Sequence, residues 1–330
     1  MKLAVIGAGS FGSALTELAT RCGHEVLLWA HDPRVAESIA QTRSNPFYLP
    51  AAEFGPLVRV SNSLEEAGRF SDTIVMVTPS HHYRTILSEL RETLPAKVRV
   101  VSATKGIENE TLSRMSQITA DVLGDMLADF GALSGPTFAL ELSRGDPSAA
   151  VIASENPEFA ATVQQAFSCR SFRAYRTDDV VGVEMAGSLK NVIAIAAGVV
   201  EGIGFGSNTT AALITRGLHE IRKLGHALGG RHETFAGLAG MGDLVLTCTG
   251  SLSRNRSVGI ELGHGKNIEQ ILGETRRVAE GVRTCRSAKE LAESAEIEMP
   301  IIGEMYRVLY EAESPKNAIQ RLMSRALKPE

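Results

Sequence analysis

The 330-residue sequence has few cysteines, few aromatic residues and almost no net charge. Its four cysteines are far apart and form no CxxC pair, which indicates reduced thiols in a reducing cytosol and predicts no metal site. With 34 basic and 38 acidic side chains, the net charge is −4, so we expect no general attraction to nucleic acid or to an anionic membrane. An anionic ligand must therefore be held by local basic residues.

Long apolar runs are also lacking. The longest, Val192 to Val200, stops at Glu201 and is too short to span a bilayer. The N-terminus shows neither a basic-then-apolar leader nor a cleavage site, so we expect a cytoplasmic protein without an integral membrane segment. Hydrophobic residues at 44% and charged residues at 22% exclude a disordered, collagen-like or coiled-coil chain. The length predicts roughly two domains.

The first half of the sequence alternates apolar strands with helices. Continuous apolar strands separated by helices of about a dozen residues are typical of βαβ units and of a mainly parallel sheet covered on both faces. We therefore predict a doubly wound α/β domain of the Rossmann type in residues 1–177. Its predicted strands are 2–6, 24–30, 58–61, 73–78, 98–103, 131–134 and 149–153, and its helices include 10–22, 80–93 and 111–127.

Strand patterns nearly vanish after Thr177. This change from strand patterns to helical patterns predicts a domain boundary near Thr177 and an all-α second domain over residues 178–330. The predicted helices are 178–202, 208–228, 254–263, 280–295 and 298–312.

A glycine-rich loop, GAGSFG, joins the first predicted strand to the first predicted helix. Gly7 allows the tight turn, Gly9 lets the backbone approach a pyrophosphate, and Gly12 lets helix and strand pack closely. The helix N-terminus that follows offers backbone N–H groups to phosphates. The loop therefore predicts a dinucleotide-binding site.

The end of the second predicted strand favours NADPH over NADH. An NAD-specific site places an acid there to hold the ribose 2′-hydroxyl. Here the first residues past the strand are Ala30 and His31, and Arg34 is near enough to meet a 2′-phosphate. Asp32 is the competing ribose reader, and a solvated turn is the alternative interpretation of His31 and Arg34.

The second half supplies the candidate catalytic groups. Lys190 stands in an otherwise apolar helical stretch, where burial would lower its pKa and suit it to general acid/base work; a lysine that only reaches the surface is the alternative. Asn191 and Asp243 lie in similarly apolar surroundings, and Asp243 as a mere helix cap is the competing interpretation. Lys105 follows a strand at the ligand-binding edge of the sheet. SRNR, residues 253–256, opens a helix and predicts a phosphate site.

The sequence resembles the NAD(P)-dependent glycerol-3-phosphate dehydrogenases of the bacterial, soluble type along nearly its whole length. The segments that carry the resemblance are GAGSFG, LWAHDP, VTPSHH, ATKGIE, SGPTFA, residues 187–208, GLAGMGDLVLTC, SRNR and VAEGVRT. The resemblance implies reduction of dihydroxyacetone phosphate to sn-glycerol 3-phosphate with NADPH or NADH, for phospholipid synthesis. It also implies a C-terminal helical domain of the 6-phosphogluconate dehydrogenase-like type.

Position by position, the resemblance implies roles for individual residues. Lys190 matches the proton donor and acceptor, Lys105 reaches both cofactor and substrate, and Arg254 contacts both ligands. The implied substrate contacts are Gly135, Thr137, Asp243, Ser253 and Asn255, to which the residue pattern adds Asn191. The implied cofactor contacts are Ser10, Phe11, His31, Ala139, Val278 and Glu280, to which it adds Gly7, Gly9, Gly12 and Arg34.

Two other functions stay open at this point. A ketopantoate or 3-hydroxyacid dehydrogenase would share the two-domain architecture, although SRNR and two lysines favour a phosphorylated substrate. A non-catalytic dinucleotide sensor would need no buried lysine. The expected partners are thus a small phosphorylated substrate and no nucleic acid, and a homodimer is the assembly to test.

Overall fold

The structure is a computed structural model that describes residues 1–274, 279–327 and 329. The chain divides into two compact units. Unit 1 comprises residues 1–105 and 113–184, and unit 2 comprises residues 106–112 and 185–330. The sheet ends at Thr177, where the sequence pattern places its boundary, and the division between the units follows Glu184.

Unit 1 is an α/β layer structure built on one eight-stranded sheet and one small hairpin. The strands are β1 Lys2–Ile6, β2 Glu25–Trp29, β3 Ser44–Asn45, β4 Leu49–Glu53, β5 Val58–Ser61, β6 Thr73–Met76, β7 Val98–Ser102, β8 Leu127–Ser134, β9 Ser148–Ala153 and β10 Phe172–Thr177. The helices are α1 Ser10–Arg21, α2 Pro33–Thr42, α3 Leu64–Phe70, α4 Ser80–Arg91, α5 Met115–Leu123, α6 Ala139–Arg144 and α7 Pro157–Phe167, with a 3₁₀ turn at Gly124–Met126.

The strand order is β10-β9-β8-β7-β6-β1-β2-β5, and every pair in this sheet is parallel except β8 with β9. Strands β5-β2-β1-β6-β7-β8 follow the doubly wound order of dinucleotide-binding folds, whose ligands bind at the carboxyl ends beside the switch between β1 and β6. The predicted mainly parallel Rossmann-type sheet is confirmed.

The central strands β1, β2 and β6 are buried on both faces, as their continuous apolar sequences predict. Leu3 and Val5 of β1 belong to the core on one face, whereas Ala4 and Ile6 belong to the core on the other. Side chains alternate across a strand, so every residue from Leu3 to Ile6 must be apolar. This pattern explains why β1 is readily identified from sequence.

Two features of unit 1 are absent from the sequence-based prediction. Strand β10 lies at the edge of the sheet, where Phe172 and Ala174 are buried while Arg173 and Tyr175 are exposed. Buried and exposed residues alternate in β10 over only a few positions, and its arginines make the sequence too polar to be recognised as a strand. The hairpin β3–β4 is short as well and has little apolar pattern of its own.

The described residues of unit 2 form helices and no strand, so the predicted all-α second domain is confirmed. Its helices continue from α8 Val180–Ile203, which begins in unit 1, to α9 Ser207–Ala227, α10 His232–Ala236, a π-helical turn Leu238–Gly242, α11 Asp243–Thr249, α12 Arg254–Gly263, α13 Ile268–Glu274, α14 Glu280–Ser294, α15 Pro300–Tyr310 and α16 Pro315–Met323. The segment 106–112 joins unit 2 through Ile107, whose carbonyl accepts a 3.4 Å hydrogen bond from the Ser287 hydroxyl.

Helix α8 is longer than the apolar run seen in the sequence. Among the described residues it is the one helix whose length and composition would allow it to cross a membrane. However, 89% of its most apolar stretch is buried inside the protein, as in the central helix of a helical domain. Helix burial therefore accounts for its apolar sequence.

Helices α8 and α12 pack against each other through glycines. A Cβ atom at Gly259 would lie 1.9 Å from the Ile195 carbonyl oxygen, and one at Gly198 would lie 2.0 Å from the Arg256 carbonyl oxygen. One turn further along, a Cβ at Gly202 would lie 2.3 Å from the Ile260 carbonyl oxygen, and one at Gly263 would lie 2.8 Å from the Gly202 Cα. These contacts bring the two helix backbones together and fix how far apart their side chains lie.

Candidate active site

The glycine-rich loop has the geometry that a dinucleotide phosphate needs. Gly7 adopts φ +119°, where a Cβ would lie 2.8 Å from the Val77 carbonyl oxygen, and a Cβ at Gly12 would lie 1.8 Å from the Gly7 carbonyl oxygen. A Cβ at Gly9, in contrast, would meet no atom within 4 Å, and Gly9 caps α1 without a side-chain hydrogen bond. The open space and the N–H groups at the start of α1 fit a pyrophosphate.

The β3–β4 hairpin holds this loop from one side, a support that the sequence pattern misses. The Asn45 side-chain amide donates 2.9 Å hydrogen bonds to the Ala8 carbonyl and to the Ser13 hydroxyl, and it is fully buried. The Ser10 hydroxyl donates a 2.7 Å bond to the Tyr48 carbonyl. The sequence signal for this turn is Asn45 followed by Pro46, a pair of residues that is typical of turns.

The end of β2 places His31 and Arg34 on the surface of unit 1. Asp32 caps α2 by accepting the Arg34 backbone N–H at 3.0 Å, and it also pairs with the Arg34 guanidinium at 2.6 Å. These hydrogen bonds lower the pKa of Asp32 to about 2. The carboxylate is thus engaged by its own helix, while the His31 ring lies 5.7 Å from that of Trp29.

The carboxyl edge of the sheet brings together several of the predicted cofactor and substrate residues. Lys105 follows β7, and its Nζ donates a 3.2 Å hydrogen bond to the Gly135 carbonyl and lies 5.7 Å from the centre of the Phe11 ring. The Thr137 hydroxyl donates to the same carbonyl at 3.1 Å, and Ala139 begins α6 two residues later.

Gly135 itself cannot carry a side chain. It adopts φ +153°, and a Cβ there would lie 2.8 Å from the Ala150 Cα. The backbone of β8 and β9 therefore requires glycine at this point, which sets the position of the carbonyl that Lys105 and Thr137 share.

In unit 2, Lys190 lies on α8 and is only 5% exposed. Its Nζ pairs with the Asp243 carboxylate and donates a 2.7 Å hydrogen bond to the Thr247 hydroxyl. Thr247 in turn donates to the Asp243 backbone carbonyl at 2.6 Å, since the two residues lie one turn apart on α11. The buried ammonium is thus held at a fixed point by a carboxylate and a hydroxyl, as a general acid requires.

A second polar network joins α8 to the starts of α12 and α14. The Asn255 amide donates a 3.0 Å hydrogen bond to the Asn191 side-chain oxygen, and the Gly281 N–H donates to the Asn255 side-chain oxygen at 2.9 Å. A Cβ at Gly281 would lie 2.5 Å from the Asn191 carbonyl oxygen, so this approach also requires glycine. The network fixes Asn191 and Asn255, one residue after Lys190 and Arg254.

The start of α12 has the layout of an anion site. The Ser253 hydroxyl caps the helix by accepting the Arg256 backbone N–H at 3.2 Å, and Arg254 is exposed at the first helical position. Glu280 begins α14. Val278, another predicted cofactor contact, lies outside the described residues.

The predicted residues therefore fall into two groups. Unit 1 holds the glycine loop, the ribose end and the lysine at the sheet edge, whereas unit 2 holds the buried lysine and the α12 helix start. The residues of unit 1 are Gly7, Gly9, Ser10, Phe11, Gly12, His31, Arg34, Lys105, Gly135, Thr137 and Ala139; those of unit 2 are Lys190, Asn191, Asp243, Ser253, Arg254, Asn255 and Glu280.

Solved structures of two enzymes have folds similar to that of this chain. A crystal structure of glycerol-3-phosphate dehydrogenase from Coxiella burnetii is similar with a TM-score of 0.94 at 34% identity, covering 98% of this chain and 99% of that one. A ketopantoate reductase from Ralstonia eutropha is similar with a TM-score of 0.61 at 15% identity, covering 98% and 100%. The second likeness concerns the fold alone.

Sequence comparisons agree with the first of these structures. A model of the NAD-dependent glycerol-3-phosphate dehydrogenase N-terminus matches residues 2–160, and a model of the C-terminus matches residues 179–320. A glycerol-3-phosphate dehydrogenase (NAD(P)+) from Geobacter sulfurreducens is 51% identical over 330 residues, covering 100% of this chain and 98% of the relative. One from Koribacter versatilis is 48% identical, covering 98% and 97%. With both models and full-length relatives in agreement, this chain belongs to the NAD-dependent glycerol-3-phosphate dehydrogenase family.

Proposed function

We propose that this chain is an oxidoreductase that reduces dihydroxyacetone phosphate reversibly to sn-glycerol 3-phosphate, with NADPH or NADH, and so supplies the backbone of glycerophospholipids. The observation that carries the proposal is the buried lysine of unit 2. Lys190 is held by Asp243 and Thr247 in an apolar helix, and a buried ion pair of this kind often stabilises a fold no better than apolar residues of similar size.

Lys190 is the proton donor in this proposal. The glycine loop would hold NAD(P)H, which would supply the hydride for the carbonyl carbon of the substrate and so leave negative charge on the carbonyl oxygen. The Lys190 ammonium stabilises that charge by a hydrogen bond and then transfers its proton to the oxygen. In the reverse direction the amine takes the proton back. Asp243 and Thr247 keep Nζ in position.

Lys105 supplies a second positive charge. Its bond to the Gly135 carbonyl and its position over the Phe11 ring keep the ammonium at the carboxyl edge of the sheet, where ligands of this fold bind. We assign it contacts with both the cofactor and the substrate, with Gly135 and Thr137 as further substrate contacts.

The start of α12 binds the phosphate group of the substrate. Exposed Arg254 supplies the charge, and the N–H groups of the first helical turn point along the helix axis toward the anion. Ser253 and the pair Asn191–Asn255 complete the set of polar groups. An adjacent phosphate site aligns the ketone, because a bound phosphate restricts how the rest of a three-carbon substrate can lie.

The glycine loop of unit 1 binds the cofactor pyrophosphate. Ser10, Phe11 and Ala139 of unit 1 are further proposed contacts of the cofactor. Val278 and Glu280, in the second half of the chain, are the other two. At the ribose, exposed His31 and Arg34 are the proposed contacts of a 2′-phosphate, whereas the Asp32 carboxylate accepts hydrogen bonds from the Arg34 backbone and guanidinium. We therefore propose that NADPH is the preferred cofactor.

The decisive assay follows the absorbance of NADPH or NADH after each candidate substrate is added. We expect rapid oxidation of NADPH with dihydroxyacetone phosphate, slower oxidation with NADH, and little with ketopantoate. Faster turnover of ketopantoate would favour the related reductase class, and binding of NADPH without any turnover would favour a dinucleotide sensor.

The compartment and the assembly are further parts of the proposal. The four cysteines are free, which suits a cytoplasmic protein. Large apolar side chains stand exposed on unit 2 at Met241, Val245 and Leu252, which suits a homodimer. Light scattering during size-exclusion chromatography measures the mass directly, and a monomer at micromolar concentration would contradict the dimer.

A further inference from the structure

Helix α1 presents a polar face to the hairpin β3–β4. Ser10, Ser13 and Glu17 follow one another at intervals of three and four residues, so they share one face of the helix. Ser13 is fully buried and Glu17 is 9% exposed. Burying a polar side chain costs free energy unless it is hydrogen-bonded, and all three of these side chains bond to the hairpin. The polar face is therefore the contact surface of α1 for the hairpin.

At one end of this face, the hairpin is bonded to the glycine loop. The fully buried Asn45 amide donates 2.9 Å hydrogen bonds to the Ala8 carbonyl, in the middle of the loop, and to the Ser13 hydroxyl. The Asn45 side-chain oxygen accepts the Tyr48 backbone N–H at 3.3 Å, and the Tyr48 carbonyl accepts the Ser10 hydroxyl at 2.7 Å. Both the donor and the acceptor of Asn45 therefore fix the turn of the hairpin on the loop.

At the other end of the face, Glu17 bonds to the hairpin and to α6. One carboxylate oxygen accepts the backbone N–H of Glu53, the last residue of β4, at 2.9 Å, and the other accepts the Ser143 hydroxyl. Helix α6 begins at Ala139, a proposed cofactor contact. Glu17 thus connects three elements that carry or flank the proposed cofactor contacts, namely α1, the hairpin and α6.

These hydrogen bonds determine where the hairpin lies, whereas apolar contacts attach it to unit 1. Leu49 and Ala52 of β4 are buried in the same apolar core as Leu15 and Leu18 of α1. A two-stranded hairpin is only marginally stable by itself, so it depends on this attachment. A buried hydrogen bond adds little net stability, because both partners give up their bonds to water, but its geometry is satisfied in one register only. The polar face therefore sets the register of the hairpin on α1.

A hairpin in a fixed register limits the freedom of the glycine loop. Glycine has the largest conformational freedom of all residues, so a loop that contains Gly7, Gly9 and Gly12 loses much entropy if a ligand has to order it. A loop whose central carbonyl is already bonded to Asn45 loses less when the ligand binds. Preorganisation of this kind increases affinity.

We propose that Asn45 and Glu17 are positioning residues for the cofactor. They hold the hairpin β3–β4 on the glycine loop, which gives the loop its binding shape before NADPH or NADH arrives. Asn45 is fully buried and Glu17 lies about 10 Å along α1 from Ser10, so neither side chain contacts the cofactor. Both cofactors contain the same pyrophosphate, so both should lose affinity by the same factor when the hairpin is released. The identity of these cofactors is the one point at which the inference rests on the proposed function.

The test measures the dissociation constants of NADPH and NADH for the full-length chain by energy transfer to the reduced nicotinamide from Trp29, the only tryptophan of the sequence. In Asn45→Ala both constants should rise about tenfold, because the Ala8 carbonyl and the Ser13 hydroxyl lose their buried donor. Their ratio should stay the same, which distinguishes this effect from a lost contact with the 2′-phosphate. The kcat for dihydroxyacetone phosphate at saturating NADPH should change little, because the proposed proton donor lies in unit 2.

Two variants of Glu17 test the same role from the other end of the polar face. Glu17→Leu removes both acceptor oxygens and should raise both dissociation constants a few-fold. Glu17→Gln retains an acceptor for the Glu53 N–H and should bind both cofactors nearly as well as the unaltered chain does. If Asn45→Ala does not fold, the comparison of these two variants decides the outcome.

Asn156→Ala is the matched control in unit 1. The Asn156 side chain caps α7 by accepting the N–H groups of Glu158 and Phe159, and it donates to the Asp129 carboxylate near the start of β8. This cap lies at the amino end of β8, whereas ligands of this fold bind at the carboxyl ends of the strands. The melting temperature should therefore fall while both dissociation constants stay unchanged.

Two results would overturn the proposal. Lower melting temperatures of Asn45→Ala and Glu17→Leu with unchanged dissociation constants would give both residues a purely structural role. A lower kcat at saturating cofactor with unchanged dissociation constants would place their effect in the chemical step. If the unaltered chain binds NADPH but does not reduce dihydroxyacetone phosphate, the proposed function fails, while the dissociation constants still decide the role of the hairpin.

Discussion

Two ion pairs contain residues that the sequence singles out, and their surroundings differ. The side chains of Lys190 and Asp243 are 7% and 2% exposed, whereas those of Arg34 and Asp32 are 70% and 30% exposed. Removing one partner of a buried pair leaves an uncompensated charge and costs about 3–5 kcal/mol. An exposed pair is typically worth about 0–1 kcal/mol. The position of Lys190 is therefore determined by the fold of unit 2, whereas any large effect of Arg34 has to come from a ligand.

The two ion pairs also differ in how firmly each of them holds its cation in place. Asp243 and Thr247 hold the Lys190 ammonium in one place, so the proton is pre-positioned before substrate arrives. Arg34 pairs with Asp32 in an exposed turn, where salt screens the charge of its guanidinium. A buried, fixed position suits a catalytic group such as Lys190. An exposed position is sufficient for a group such as Arg34, which would only distinguish NADPH from NADH.

Lys190→Met should give the largest effect. It removes the proton donor and the charge that stabilises the developing alkoxide, so kcat should fall about 10²–10⁴-fold while NADPH still binds. Steady-state kinetics and NADPH fluorescence measure the two quantities. Lys266→Met is the matched control, because Lys266 forms an exposed pair with Glu261 in the same unit. A kcat above about a tenth of the original would remove Lys190 from the chemistry.

Glu220 is a buried carboxylate whose partners are mainly backbone N–H groups, those of Ile301 and Ile302 at the start of α15. Burial raises its pKa to about 7, against the lowering effect of those bonds and of Arg216 and Arg325. The folded state thus keeps a proton that the unfolded chain loses above about pH 4.5. The free energy of unfolding should therefore fall between about pH 4.5 and 7, by roughly 3 kcal/mol.

Glu220→Gln isolates that contribution. The variant retains an acceptor oxygen for the start of α15 but cannot ionise, so its unfolding free energy should vary less with pH across the same window. Urea titrations of both proteins at several pH values give the comparison. Parallel pH profiles would show that Glu220 does not titrate in this range.

Arg254→Ala should weaken the binding of dihydroxyacetone phosphate by about 1.5–3 kcal/mol, the usual contribution of a charged hydrogen bond. The KM for the phosphorylated substrate should rise accordingly, whereas turnover of unphosphorylated dihydroxyacetone should change little. Equal losses with both substrates would move Arg254 out of the phosphate site and toward the cofactor alone.

Arg34→Ala should give the smallest effect. The KM for NADPH should rise only a few-fold, because salt and water screen a charge in an exposed turn, and the KM for NADH should hardly move. Arg59→Ala is the control, since Arg59 forms a comparable exposed pair with Glu66 in the same unit. A parallel rise for both cofactors, or use of NADH alone, would make Asp32 the ribose reader.

Periodicity predicts the elements that are buried on both faces or amphipathic over several turns. Strand β1 and helix α12 lie where the pattern places them, because burial demands apolar residues at fixed intervals. Periodicity does not predict the edge strand β10 or the hairpin β3–β4, because few of their residues face a core. Their positions depend on contacts that are remote in sequence, such as the bond from Asn45 to Ala8.

The candidate site divides in the same way. The spacing of the glycines predicts the glycine loop, and the apolar surroundings of Lys190 and Asp243 predict their roles. The helix start at Ser253 follows from its capping residue. The sequence does not reveal that Asp32 forms an ion pair with Arg34. Nor does it reveal that the Thr247 hydroxyl accepts a hydrogen bond from the Lys190 ammonium. Both depend on the direction of a side chain within one turn of its helix, and periodicity carries no information on that direction.

The glycine packing of α8 on α12 limits how this protein can be stabilised by design. Replacing a helical glycine with alanine usually adds about 0.5–1 kcal/mol, because the unfolded chain loses freedom. Alanine at Gly259 or Gly198 should destabilise the protein instead, because the methyl group would collide with a backbone oxygen of the facing helix. Gly303 in α15 faces open space, so Gly303→Ala should raise the melting temperature. An engineer who scores glycines by helix propensity alone would choose both kinds equally, and only one would succeed.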